Sequence, residues 1–130
     1  MSIKLIKFDT EYFKSLPDRS KILFDNNQPF YTIINQKKQK VGVCGVLRNM
    51  FFQILIHPDF RGQNIVKQAS DEVIKKLKLK QLFATIDITN IASLKAHLKA
   101  GFKELPATEV KKLRKTGKLK STQTRLIKKG

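Results

Sequence analysis

Three apolar, β-branched runs follow one another with very little between them: PFYTIINQ, KVGVCGVL and MFFQILIH, within residues 29–57. Polar Gln36 to Gln39 separates the first two, and Arg48-Asn49 turns the second into the third. Connections this short close hairpins, so the three runs are expected to be antiparallel neighbours in one sheet. Whatever fold the chain adopts must contain that meander.

The flanking segments read as follows. Ile3 to Phe8 alternates apolar and polar residues, a strand signal. Thr10 is placed to cap a helix whose apolar face is Tyr12, Phe13 and Leu16, until Pro17 interrupts it. A second short helix fits Arg19 to Phe24, before Asp25-Asn26-Asn27 and Pro29 mark a loop. After the meander, Ile65, Val66, Ala69, Val73, Ile74 and Leu77 recur at helical spacing. LFATIDI is a fifth strand. Thr89 or Asn90 caps a further helix bearing Leu94 and Leu98, and Gly101 stops it. Phe102 to Leu105 reads as a short strand, residues 106–120 as a polar, basic loop, and TRLIKK as the closing strand. Hairpins first, then alternating helices and strands, predict an α/β (α+β) fold with a mixed sheet, in a single domain over residues 1–130.

Composition narrows the function classes. Apolar residues make up 41% of the chain, which argues against wholesale disorder. No apolar run approaches the roughly 20 residues of a membrane helix, and charges break MSIKLIKFDTEYF too early for a signal peptide. Cys44 is the sole cysteine, so no internal disulfide forms; within VGVCGVL it reads as a buried strand residue. His57, His97 and Cys44 lie too far apart for a structural metal site. A cytoplasmic protein fits these features. Charge is the strongest signal: 27 Lys and Arg against 10 acids give +17. Residues 111–130 carry nine basic side chains and no acid. Such a field favours polyanions such as nucleic acid, CoA phosphates or an acidic protein. Solvated lysines of a lysine-rich composition fit equally for the whole chain; for Lys111, Lys112, Arg114 and Lys115 an anionic partner, DNA or RNA, is the expectation.

Two segments carry chemistry. In ILIHPDFRGQNIV a strand passes through a tight connection, Arg61-Gly62-Gln63-Asn64-Ile65-Val66, into a helix. The first N–H groups of such a helix can hold a phosphate. In NIASLKAHLKAGF, Asn90, Ser93, His97, Gly101 and Phe102 stand at fixed intervals on a helix and its stop. These segments, and the order of elements around them, resemble the GCN5-related N-acetyltransferase (GNAT) superfamily over most of the chain. The second segment is the more specific match, with His97 where the family often has tyrosine.

The resemblance implies a mostly antiparallel central sheet of about six or seven strands with about four helices, acetyl-CoA as co-substrate, and an amine acceptor. It places the CoA pyrophosphate on residues 61–66 and its pantetheine arm along the backbone of Leu55 and Ile56, at a splayed gap between two parallel strands. Asn64 stands where the family has glycine and tolerates left-handed backbone. Val66, also at a glycine position, either shields the amides or turns inward to join the apolar stripe. Arg61, Lys67 and Lys99 are further phosphate partners. Asn90 caps its helix and can also meet a ligand. His97 takes the place of the family's acid, seven residues after Asn90. Thr85 occupies a position where some members carry a basic carboxylate, which leaves Asp87, on the same strand face, as the best base candidate. His57 and Asp59 are weaker candidates and read better as turn residues. The leading expectation is an acyl-CoA-dependent N-acetyltransferase, monomeric or homodimeric, with an acceptor that is or sits on nucleic acid. Alternatives are a DNA-modifying enzyme of the Mom type, on the same fold but without acetyl-CoA, and a non-catalytic nucleic-acid-binding module.

Overall fold

The computed structural model describes residues 2–130. Seven strands form one sheet in the order β1-β2-β3-β4-β5-β7-β6. They are β1 (Lys4–Lys7), β2 (Phe30–Ile34), β3 (Lys40–Leu47), β4 (Phe51–Ile56), β5 (Gln81–Asp87), β6 (Lys103–Glu104) and β7 (Gln123–Lys129). The helices are α1 (Thr10–Ser15), α2 (Ile65–Leu77), α3 (Ile91–Lys99) and α4 (Ala107–Lys115). Every neighbouring pair of strands is antiparallel except β4 and β5. The meander of β2, β3 and β4 is the one that the three apolar runs require.

One face of the sheet carries the main core. Ile65, Ala69 and Val73 of α2 pack there with Ile33, Cys44, Val46, Phe52, Leu82, Ala84, Phe102 and Leu126. These α2 residues are one stripe of an amphipathic helix, so burying them fixes its rotation. The other face is covered by α1 over β3 and β4, where Leu16, Val43 and Leu55 are buried. The rings of Phe8, Phe13, Phe24 and Phe30 form a cluster beside them. Gly45 makes room for it: a Cβ there would lie 2.4 Å from the Phe30 ring.

Three local expectations change. The cap of α1 is Asp9, not Thr10; an Asp9 carboxylate oxygen accepts from the Tyr12 N–H at 3.0 Å, and Thr10 is the first helical residue. Asp and Thr both cap well, and Lys40, which pairs with Asp9, helps decide between them. The helix expected over Arg19 to Phe24 is a single 3-10 turn, Arg19–Lys21. Residues 106–120 are not a loop. They contain α4, anchored by buried Val110 and followed by buried Leu119. So few apolar residues give almost no periodic signal, and tertiary burial supplies what local pattern does not.

Candidate active site

The parallel neighbours β4 and β5 meet at one position, Phe51 opposite Phe83. There the Phe83 N–H donates to the Met50 carbonyl at 2.7 Å. Beyond it β4 stays paired to β3 as far as Ile56, and β5 to β7 as far as Asp87, so each strand is held on its outer side while a gap opens between them. The His57 N–H donates to the Val41 carbonyl at 2.9 Å, at the end of the β3–β4 ladder. Counting back in twos gives the backbone groups of Leu55 and Gln53 to β3 and those of Ile54 and Ile56 to the gap. The expectation at Leu55 therefore moves to Ile54, because adjacent strand residues point their amides to opposite sides. On the other wall, bonds from Ile88 to Thr122 and from Gly130 to Lys80 turn the even residues of β5 toward β7. That leaves the backbone of Thr85 and Asp87 facing the gap.

The connection from β4 to α2 turns through a 3-10 step, Pro58–Phe60, capped by His57, whose Nδ1 accepts from the Asp59 N–H at 3.1 Å. His57 and Asp59 thus shape the turn. Two left-handed residues follow, Gly62 at φ 81° and Asn64 at φ 63°. Asn64 caps α2 without a side-chain bond. Among the described residues, none of the backbone N–H groups of Gly62, Gln63, Asn64, Ile65, Val66 and Lys67 finds an acceptor. Free amides at a helix start, with left-handed residues alternating among them, are the kind of backbone that can hold an anion. A Cβ on Gly62 would meet nothing within 4 Å, so the space beside it is open and the glycine answers a dihedral requirement. Val66 turns inward, packing against the main core beside Ile65. Arg61 faces Asp18 at 3.8 Å and Lys67 faces Asp71 at 3.0 Å, both exposed pairs of small worth that a stronger anion can displace. Lys99, in the last turn of α3, has no hydrogen bond or ion pair to this loop.

Asn90 caps α3 through its Oδ1, which accepts from the Ser93 N–H at 3.2 Å. His97 is only 4% exposed. Its ring lies edge-on to Phe52 and Phe102, with centroids 6.3 and 5.1 Å away. Nδ1 sits 2.9 Å from the Ser93 carbonyl oxygen. A carbonyl only accepts, so Nδ1 carries the proton. Burial lowers the pKa of His97 below the ordinary histidine value, against the opposing effect of the Ser93 carbonyl. The resting ring is neutral, with its lone pair on Nε2. Such a ring takes a proton before it gives one.

Asp87 lies at the exposed end of β5. The Thr89 hydroxyl at 2.6 Å and the Thr89 N–H at 2.9 Å both donate to its Oδ1 and hold its carboxyl below the usual range. It is a stable carboxylate that leads the chain into α3. Two residues back on the same face, the Thr85 hydroxyl accepts from Arg125 Nε at 3.0 Å. Sequence reading missed Arg125 because the two are 40 residues apart and only the β5–β7 register joins them. It also missed Lys128. That buried lysine donates to Ser70 at 2.8 Å and reaches Asp71 at 2.7 Å, tying β7 to α2. Of the basic residues expected to bind nucleic acid, Lys111, Lys112 and Lys115 project from α4. Arg114 instead donates to the Gln123 carbonyl at 2.8 Å and braces α4 against β7. Among the described residues, no helix is long and apolar enough to cross a membrane.

A family model for the acetyltransferase (GNAT) domain matches residues 8–103. No curated protein sequence matches significantly. Among solved structures, a domain from Methanocaldococcus jannaschii aligns over 99% of this chain and 99% of its own, with a TM-score of 0.71 at 16% identity. A spermidine N-acetyltransferase SpeG chimera from Vibrio cholerae and hSSAT aligns over 99% and 96%, with a TM-score of 0.67 at 15% identity. The dodecameric spermidine N-acetyltransferase from Vibrio cholerae aligns over 98% and 94%, with a TM-score of 0.68 at 13% identity. At such identities the likeness is one of fold alone. With the family model spanning most of the same sheet, the chain belongs to the GNAT family of N-acetyltransferases.

Proposed function

We propose that this chain transfers an acetyl group from acetyl-CoA to an amine. The observation that carries the reading is the run of free amides from Gly62 to Lys67, in the connection that follows β4 at the open end of the gap. A diphosphate is the ligand such a run suits. Its charge meets the amides and the α2 dipole, and side-chain identity matters little because backbone does the binding. Val66, packed inward, leaves them uncovered. The free backbone groups of Ile54 and Ile56 take an extended amide-bearing arm as an added strand. When bound, acetyl-CoA supplies a thioester whose carbonyl carbon the amine attacks and whose sulfur leaves as a thiol. His97 Nε2 accepts a proton given up by the amine and returns it to the departing sulfur. Asn90, free on its amide nitrogen, and Lys99 stand on the same helix as His97 as secondary ligand contacts. Asp87 holds the acceptor's ammonium, which gives one proton to solvent and attacks as the neutral amine. Acetyl-CoA should stabilise the fold by about 2.7 kcal/mol at a hundredfold excess over Kd, read by thermal unfolding, with matching heat in calorimetry. No shift and no heat at millimolar acetyl-CoA would overturn the reading. Spermidine, the substrate named for structural neighbours, belongs in the first acceptor panel.

The basic side chains of α4 favour a second role, holding an acceptor that is or sits on nucleic acid. Helical spacing puts Lys111 and Lys115 near one another, and among the described residues no acid pairs with either. Binding to duplex DNA or RNA should weaken with salt, with a logarithmic slope of roughly −0.9 per neutralised phosphate. Replacing Lys111, Lys112 and Lys115 by alanine should flatten that slope and leave acetyl-CoA binding intact, whereas Arg114 must be kept because it braces the helix. A wild-type protein without affinity at low salt would leave the lysines as solvated surface.

A further inference from the structure

The sheet face opposite α2 is uncovered over β5 and β7, beside the gap. Its floor is Phe51 and Phe83, with ring centroids 6.2 Å apart. Arg125 lies across it, its guanidinium carbon 4.9 Å from the centre of the Phe51 ring. Nε is committed to Thr85 at 3.0 Å. Among the described residues the two terminal nitrogens have no partner, and no carboxylate comes within ion-pair distance of them. This is unusual for a half-buried guanidinium, because loss of water is normally offset by an acid. An acid is even at hand. Asp87 pairs with Gln123 and Thr85 with Arg125 in the β5–β7 register, so Asp87 and Arg125 are diagonal neighbours. Yet Asp87 turns its Oδ1 to Thr89. The fork is thus held flat by an aromatic ring, aimed by a threonine and left without an anion. Asp87 is also the only acid that β4, β5 and β7 contribute.

We propose that Arg125 takes an oxyanion, a carboxylate or phosphate, carried by the acceptor amine itself. This rests on the acetyltransferase reading and names the acceptor's chemical class: an amine that bears an anionic group, not a polycation. Planar guanidinium binds either oxyanion through two parallel hydrogen bonds. Asp87 on the diagonal leaves room for the ammonium end of the same molecule.

The test measures thiol release from acetyl-CoA with matched acceptors: amino acids against their amides, amino-alkyl phosphates against amino alcohols, and a diamine. The expected result is a kcat/KM higher for the anionic member of at least one pair by about ten- to a hundredfold, the usual worth of hydrogen bonds to a charged group. Carboxylate and phosphate pairs tell the two oxyanions apart. Arg125→Gln should collapse that ratio toward one, and Arg125→Lys should restore part of it. The ratio is unmoved by a misfolded fraction, which lowers both members equally. Turnover with equal or better use of the amides and the diamine, or a ratio unchanged in Arg125→Gln, overturns the proposal while leaving the acetyltransferase reading intact. Absence of transfer to every amine overturns both.

Discussion

Replacing His97 with alanine should lower turnover at saturating amine by about 10²–10⁴-fold, the usual worth of a proton-transfer group, while acetyl-CoA affinity changes little. Two effects must be separated, because His97 also fills space between Phe52 and Phe102. His97→Asn separates them. Its side-chain amide can donate to the Ser93 carbonyl as Nδ1 does, but it offers no basic nitrogen. Loss of turnover in the asparagine variant assigns the effect to the lone pair on Nε2. Retained turnover would make His97 a core residue and hand its proton to water. The pH profile gives an independent reading. Below the ordinary histidine value of 6.5, burial keeps the folded ring neutral while the unfolded chain takes up a proton. The stability this ring contributes is therefore present in full above 6.5 and is lost as pH falls through its lowered folded value. The acidic limb of kcat/KM should lie in the same window, and the asparagine variant should lack both. Sequence pattern placed His97 on a helix beside a functional segment. It did not show that Phe52 of β4, Phe102 just beyond the helix and Ser93 in its first turn would leave the ring buried, neutral and protonated on Nδ1.

Gly62→Val should raise the Kd for acetyl-CoA by at least about tenfold, a charge-assisted hydrogen bond being worth roughly 1.5–3 kcal/mol and the altered loop losing one or more. At φ 81° a β-branched residue is strained, so the backbone must rotate, carrying the amides of Gly62 and Gln63 out of the cradle. The new side chain itself meets open space, so folding should suffer less than binding. Calorimetry with acetyl-CoA and thermal unfolding without it give the two numbers. An unchanged Kd would show that the diphosphate lies elsewhere. Val66→Gly is a poorer probe, because Val66 packs against the core and its loss costs stability as well.

What the sequence determined was local. Alternation and short polar turns made β2, β3 and β4 a meander. One apolar stripe made α2, and Asn90 and Gly101 bounded α3. The connection proposed to hold the diphosphate was legible for the same reason: its free amides are consecutive in the chain, and adjacency alone brings them together. The tertiary structure decided everything that depends on which strand lies beside which. Periodicity assigns side chains to a face but names no neighbour, so the parting of β4 from β5 came only from the family resemblance, and that Ile54 rather than Leu55 turns its backbone to the gap came only from the strand register. Arg125 beside Thr85, Lys128 reaching Ser70 and Asp71, and Arg114 bracing α4 each join residues far apart in the chain. Burial also set protonation. A histidine carries no local mark of whether it will face water or lie between Phe52 and Phe102, and its chemistry follows from that.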